Sequence, residues 1–491
     1  MRLNLSLAAI CHRLTPLALI CSAVWGLSAC ANLPDSTPQA TLRDAASVGL
    51  PTQASPQSAV DAKWWTALGD TQLNTLIEEA LASNPSLKIA QARIARAQAG
   101  FEVAGAARSP QLGVGFEATQ QLFTANGLVP KPLAGSIYAT GTAQFTGSYE
   151  LDFFGKNRAA LDAALGLARA AQADSEAARM VLASQVARTY FQEARLQAQI
   201  ALAERVLAQR TQALRLMQDR VNAGLDTQLE LRPFEASLPE SRLQLEILQE
   251  QRELTRHALE TLISKPNRPI SPVNQATTAT LKIADTKILP FDLLGRRADV
   301  AAARWRVEAA TQDMGSARAQ FYPSVNLVAF AGFSSIGLDK LLDAGSSQWG
   351  VGPALRLPLF DGGRPRANLR GKAADLDAAI ESYNATVLDA VRDVADQLSS
   401  QQSIRRQLVE QASVQALAQT HYDLALQRFG AGVVNVLAVL NAEQALLSQR
   451  RQTIDLNARA LDTQVALMRA LGGGYQADLP TATAHPSTPS H

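Results

Sequence analysis

Aromatic side chains make up only 5% of this 491-residue sequence, and histidine occurs five times. So thin an aromatic complement argues against a thick globular core. Alanine, leucine, glutamine and arginine recur instead, which is the composition of long helices. A hydrophobic content of 47% excludes a wholly disordered chain. Charge of one sign is not in excess, with 46 basic against 44 acidic residues, so nothing points to nucleic acid as a partner. After residue 30 no run of about 18 uninterrupted apolar residues occurs, so no transmembrane helix follows. If the chain enters a membrane beyond that point, it does so as strands.

The missing chemistry is as informative. His12 falls in the leader, His485 and His491 in the far tail, and His257 and His421 stand alone on predicted helices. There is no His-Glu-x-x-His pair, no paired cysteine, no phosphate loop and no Gly-x-Ser-x-Gly elbow. The expectation is a protein that is not an enzyme and carries no metal or cofactor.

What is present begins with an export signal. Arg2 and Arg13 precede and flank "LTPLALICSAVWGL", an apolar core too short to span a bilayer comfortably. It ends in Leu27, Ser28, Ala29 and Cys30, which resemble a bacterial lipobox; the competing reading is an ordinary small-residue cleavage site. On the lipobox reading residues 1–29 are removed and Cys30 is diacylated as the new N-terminus. Cys11 and Cys21 leave with the leader, so no disulfide forms within the mature chain, and basic and acidic residues become equal in number. Residues 30–63, rich in Pro, Ser, Thr and Gln, read as an extended tether, and 475–491 as an unstructured tail.

Between them the sequence repeats. "RVNAGLDTQLELRPFEASLPESR" from Arg220 lies without a gap on "RFGAGVVNVLAVLNAEQALLSQR" from Arg428. Asn84–Pro110 lies likewise on Arg297–Pro323, and "YELDFFGKNR" from Tyr149 on "LRLPLFDGGR" from Leu355. Three landmarks in one order indicate duplication. The halves are read as repeat 1 at 64–266 and repeat 2 at 290–474, joined by a linker at 267–289. Each reads helix, strand, loop, strand, very long helix, glycine turn, long helix.

In "SIYATGTAQFTGSYELDFF" Ile137, Ala139, Ala143, Phe145, Tyr149, Leu151 and Phe153 alternate with hydroxyl, amide and carboxylate side chains. Leu112, Val114, Phe116 and Ala118 repeat the pattern, and Val325–Phe333 and Trp349–Leu359 repeat it more loosely. A half-buried soluble sheet would read this way, and so would strands of an outer-membrane barrel. Four strands cannot close a barrel, and an open edge in lipid leaves amides unpaired, so several chains contribute. A dimer gives eight strands, a trimer twelve and a tetramer sixteen.

The run from Lys156 to Val221 contains no proline and would span about 100 Å as one helix. In the matching helix Leu369, Ala373, Leu376, Ile380, Tyr383, Val387, Ala390 and Val394 step by four and three, a heptad seam. Rods of this kind pack side by side, which implies a tube of coiled-coil helices. Pro233 and Pro239 are expected to kink the returning helix of the first half.

From "WWTALGDTQLNTLIEEAL" to "ALGGG" the chain resembles the outer-membrane efflux proteins, the TolC-like outer-membrane factors, in their lipoprotein branch. The resemblance rests on the two strand-to-helix junctions, on "RRADVAAARWRVEAATQDMGSARAQFYPSVNL" and on the paired Arg-x-x-x-Gly turns; Ala298 stands where the family usually has proline. It implies an α+β membrane protein: a homotrimeric twelve-stranded β-barrel in the outer membrane, continuing into a periplasmic α-helical coiled-coil barrel. It implies the channel of a tripartite efflux pump, working with a periplasmic adaptor protein and an inner-membrane transporter of the resistance-nodulation-division type, tethered by lipid on Cys30. Other readings are the exit duct of another export system, or a structural lipoprotein bridging the envelope.

Gly224 and Gly432 suit left-handed helix caps, and Arg220 and Arg428 place positive charge against the helix dipole. By resemblance Arg220, Gly224, Leu225, Arg428, Gly432 and Val433 are also adaptor-contact tips. The family places a constriction just beyond, which falls here on Glu230, Leu437 and Asn441, with Ala438 and Asn441 where acids are usual. Fewer crowded carboxylates would ease closure and weaken cation attraction. A solvated helix residue is the competing reading of Glu230.

Overall fold

The computed structural model describes residues 37–43, 61–269, 271, 296–358 and 360–475; the leader and Cys30 lie outside them, as do most of the linker and the tail. A 3-10 turn, Trp64–Leu68, leads into α1 (Thr71–Ser83) and α2 (Pro85–Ala106). The first half continues through β1 (Gln111–Leu122), β2 (Ile137–Leu151), α3 (Lys156–Asn222) and α4 (Gln228–Ile263). The second holds α5 (Ala298–Ala319), β3 (Ser324–Ile336), β4 (Ser347–Arg356), α6 (Arg364–Gly430) and α7 (Val436–Ala470). Helix lengths repeat closely: α2 and α5 have 22 residues each, α3 and α6 67 each, and α4 and α7 36 and 35.

One helix expected at the start of the first half is two. Asn84 is extended, with ψ 128, because Pro85 disfavours a helical residue before it. The Asn84 amide then bridges outward, donating to the Leu262 carbonyl at 2.8 Å while its oxygen accepts from Ser86 N at 2.9 Å.

The residues divide into two compact units. The first, containing Ala95–Arg169 and Trp305–Ser382, holds the sheet. Its strands pair antiparallel in chain order, β1-β2-β3-β4. The register sets Val114 beside Phe145, Phe145 beside Ala331 and Ala331 beside Trp349, so one face is apolar. One residue along, Gly115, Gln144, Gly332 and Gln348 line up on the other face, where Gln348 donates to Gln144 at 3.1 Å.

The looser pattern of the second half has a steric reason. Phe330 stands on the polar face because its partner Gly350 leaves room for the ring; a Cβ there would meet the ring at 2.7 Å. Phe153, expected as a strand residue, is instead in the turn after β2, which ends at Leu151. Asp152 turns back to accept from the Arg158 amide at 2.8 Å and Gly155 adopts φ 74, which together end the strand and begin α3. β4 ends at Arg356, short of the expected Leu359, which lies outside the described residues.

The second unit contains Arg43–Ile94, Ala170–Arg304 and Tyr383 onward. Its largest core gathers Trp64, Trp65, Leu73, Leu76 and Ile77 around Tyr190, with Ile263, Val465 and Met468. Asp70 caps α1 by accepting from Gln72 N and Leu73 N, and also accepts from the buried Tyr190 hydroxyl at 2.7 Å. Burial first, and the Asp70 carboxylate second, push the Tyr190 hydroxyl pKa well above its ordinary value. Of the heptad seam on α6, Leu369, Ala373, Leu376, Ile380, Val387, Ala390 and Val394 are buried and Tyr383 packs against Val300, Val387 and Ala390. No helix among the described residues is long and apolar enough to cross a membrane.

Candidate functional site

The two glycine turns match bond for bond. In the first, Leu225 N donates to Arg220 O at 2.9 Å and Gly224 N to Val221 O at 3.0 Å; in the second, Val433 N donates to Arg428 O at 2.9 Å and Gly432 N to Phe429 O at 2.9 Å. Gly224 and Gly432 have φ 70 and 71. A left-handed residue that donates one closing bond while its successor donates the other is what a glycine helix stop requires, since an L side chain there is strained. Leu225 and Val433, the equivalent next residues, are 66% and 62% exposed, so each turn presents an apolar side chain outward.

The flanking chemistry differs. Arg220 forks onto Asp226, and its guanidinium lies 5.6 Å from the Phe429 ring of the other turn. That hydrogen bond holds the Asp226 carboxyl below the ordinary carboxylate value. Val434 occupies the corresponding place in the second turn, and the exposed Arg428 makes no ion pair among the described residues. The first turn is therefore internally neutralised, while the second offers a free cation.

The next helices start on different caps. Thr227 and Glu230 form a capping box on α4, the Glu230 carboxylate accepting from Thr227 N at 2.8 Å. With Ala438 in the Glu230 position, α7 is capped by the Asn435 side chain, which accepts from Ala438 N at 3.3 Å. "TQLE" carries the capping-box spacing openly, a signal that predicts this role for Glu230. Asp226 was legible too, as the one acid inside either turn.

Leu437 and Asn441 stand one turn apart on α7, and both are exposed, Leu437 by 53%. Val439, Ala442 and Leu446 on another face are buried, Val439 and Ala442 clustering with Ala425 and near Tyr422 and Phe429 of α6. Val436 and Leu440 join Met217, Leu231 and Phe234 of the first hairpin. Leu437 and Asn441 thus share a face turned away from both sets of contacts, and Glu230 belongs to the other hairpin's cap. α4 continues unbroken through Pro233 and Pro239. Cys30, the expected lipidation site, lies outside the described residues.

The sequence profile of a family described as "Outer membrane efflux protein" matches residues 76–265 and 289–473. The Multidrug resistance outer membrane protein MdtQ of Escherichia coli is 32% identical over 426 residues, covering 85% of this chain and 88% of that protein. The Pyoverdine export outer membrane protein OpmQ of Pseudomonas putida is 32% identical over 440 residues, covering 88% and 92%. Among solved structures, the outer membrane protein VceC of Vibrio cholerae superposes with a TM-score of 0.77 at 36% identity, covering 85% of this chain and 100% of that one. The outer-membrane channel OprN gives 0.76 at 27% identity, covering 90% and 99%.

Proposed function

This chain belongs to the outer membrane efflux protein family, and from that premise we propose how it carries out efflux: as a homotrimer, passively conducting drugs or other small toxic compounds out of the cell. It is an efflux channel of the outer membrane and not a member of an enzyme class. The sheet carries the reading. One face is apolar across all four strands, and the outer edges of β1 and β4 have no partner strand among the described residues. Unpaired edges are forbidden in lipid, so copies must pair edge to edge, and three copies close twelve strands. The polar face, with Thr142, Gln144, Ser334 and Gln348, then lines the conduit.

The two turns are the docking tips for a periplasmic adaptor, which connects the channel to an inner-membrane transporter of the resistance-nodulation-division type. Arg220, Gly224 and Leu225 supply one tip, and Arg428, Gly432 and Val433 the other. Leu437 and Asn441 narrow the conduit just beyond, with the Glu230 carboxylate as the acid at the constriction. A diacyl anchor on Cys30 tethers the assembly to the membrane.

Native mass spectrometry of the detergent-solubilised protein should report three copies, and planar bilayers should conduct. A monomer or a non-conducting trimer would overturn the reading, the latter in favour of a structural envelope-bridging lipoprotein. A deletion strain tested against drugs, dyes and metals identifies the cargo.

A further inference from the structure

The methionines among the described residues are not equally placed. Met217, Met314 and Met468 are buried, at 2%, 3% and 5% exposure. Met180 of α3 is half-buried and lines a cavity of about 400 Å³ together with Trp65, Arg179, Arg297 and Arg469. Small solutes therefore reach this thioether and are kept from the other three.

The Met180 side chain is held at two points. The buried Trp64 indole donates from Nε1 to its Sδ at 3.3 Å. Gly473, with φ 53, leaves room for its methyl group, with which a Cβ at that position would collide. Trp65 stands edge-on to Trp64, the ring centroids 5.8 Å apart, and lines the same cavity. Trp65 is 4% exposed, and its Nε1 is buried without an acceptor. An indole N–H can only donate, so an orphaned one is a cost that a neighbouring acceptor removes. Thioether sulfur is a weak acceptor, which leaves the Trp64 donor poorly satisfied as well. A stronger acceptor at this sulfur is what both indoles lack.

We propose that Met180 is an oxidation site whose sulfoxide the surrounding core is built to carry. The oxidant is a peroxide, hydrogen peroxide in the simplest case. The sulfur lone pair takes one peroxide oxygen, the O–O bond breaks and the other oxygen leaves as water; sulfur gives up the two electrons that the peroxide gains. Methionine sulfoxide is polar, and in an apolar core its oxygen would be buried without a partner and would disrupt packing. At Met180 the oxygen forms on an atom to which Trp64 already donates, beside a cavity with room for it and an indole N–H that has no acceptor. It accepts from both. Oxidation thus exchanges one weak hydrogen bond and one orphaned donor for two hydrogen bonds to oxygen, and the core around Trp64, Ile77 and Tyr190 stays closed. Met180 takes up oxidant where the product is tolerated, and the inference stands apart from conduction.

The test treats the detergent-solubilised full-length protein with graded hydrogen peroxide, locates the added oxygen by peptide mass spectrometry and follows the melting temperature. Met180 should become the sulfoxide at doses that leave Met217, Met314 and Met468 as thioethers, with no loss of melting temperature. Met180→Leu should show no response at those doses. Trp64→Phe and Trp65→Phe each keep a ring and remove one donor, so oxidation of Met180 should lower their melting temperatures by a few degrees. An unreacted Met180, or buried methionines that react alongside it, overturns the assignment. So does a wild-type melting temperature that falls on oxidation, or tryptophan variants that respond as the wild type does. If a tryptophan variant does not fold, the order of oxidation and the wild-type melting temperature decide by themselves.

Discussion

Glu230 caps α4, and one substitution separates that role from its proposed place at the constriction. Glutamine can still accept from Thr227 N, so Glu230→Gln should keep the cap and the melting temperature. It should lower cation selectivity and relieve divalent-ion block in bilayer recordings, and unchanged selectivity would leave Glu230 as a cap alone. Glu230→Ala also takes away the acceptor of the Thr227 amide and should cost about 0.5–1.5 kcal/mol. Tyr190 and Asp70 provide a second residue-scale case, remote from the turns. A hydroxyl donating to a buried carboxylate contributes about 1.5–3 kcal/mol, so Tyr190→Phe should lower thermal stability by that order. Asp70→Ala should lower it further, because two amides of α1 lose their acceptor at the same time. If thermal unfolding ranks Tyr190→Phe as the more damaging change, the central place given to Asp70 is wrong.

At the level of elements, periodicity was readable and termination was not always. The two-residue alternation of β2 and the heptad steps of α6 each follow from one buried or apolar face, which composition along the chain displays directly. Where an element ends depends on a few side-chain bonds, as at Asp152 or Asn84, and these placed Phe153 in a turn and split the first helix. Pairing register was hidden for a related reason: it depends on which backbones approach closely. Gly332 shows this, since a Cβ there would come 2.2 Å from the Ala143 carbonyl and 2.5 Å from the Gln144 Cα. The contact is to backbone, which cannot rotate away. Gly332→Ala should therefore disrupt the pairing of β2 with β3 and sharply reduce the amount of protein reaching the outer membrane, whereas the more open Gly352→Ala should be tolerated. Quantitative blots of membrane fractions would check this, and normal levels of Gly332→Ala would refute it.

For the whole molecule, large apolar side chains exposed on the rods bear on the proposed assembly of three copies. Leu417 on α6 is 71% exposed and Leu243 on α4 64%. Isolated exposed leucines are ordinary, but on coiled-coil rods they mark faces that adjoining helices cover. Leu417→Lys should shift the protein from trimer towards monomer in dilute detergent, read by native mass spectrometry; an undiminished trimer would mean that this face is not an interface. The duplication, the helical rods and the amphipathic strands were determined by the sequence itself, because each is a pattern local to the chain. Glycine stops and basic last turns marked the two helix turns for the same reason. Only the tertiary structure decided that Arg220 is neutralised by Asp226 while Arg428 is not, and that Phe330 occupies the polar face above Gly350. It alone brought the Tyr190 hydroxyl to within 2.7 Å of the Asp70 carboxylate and the Arg188 guanidinium onto Asp462. Such contacts depend on how helices and strands approach in space, and no spacing along the chain encodes that distance.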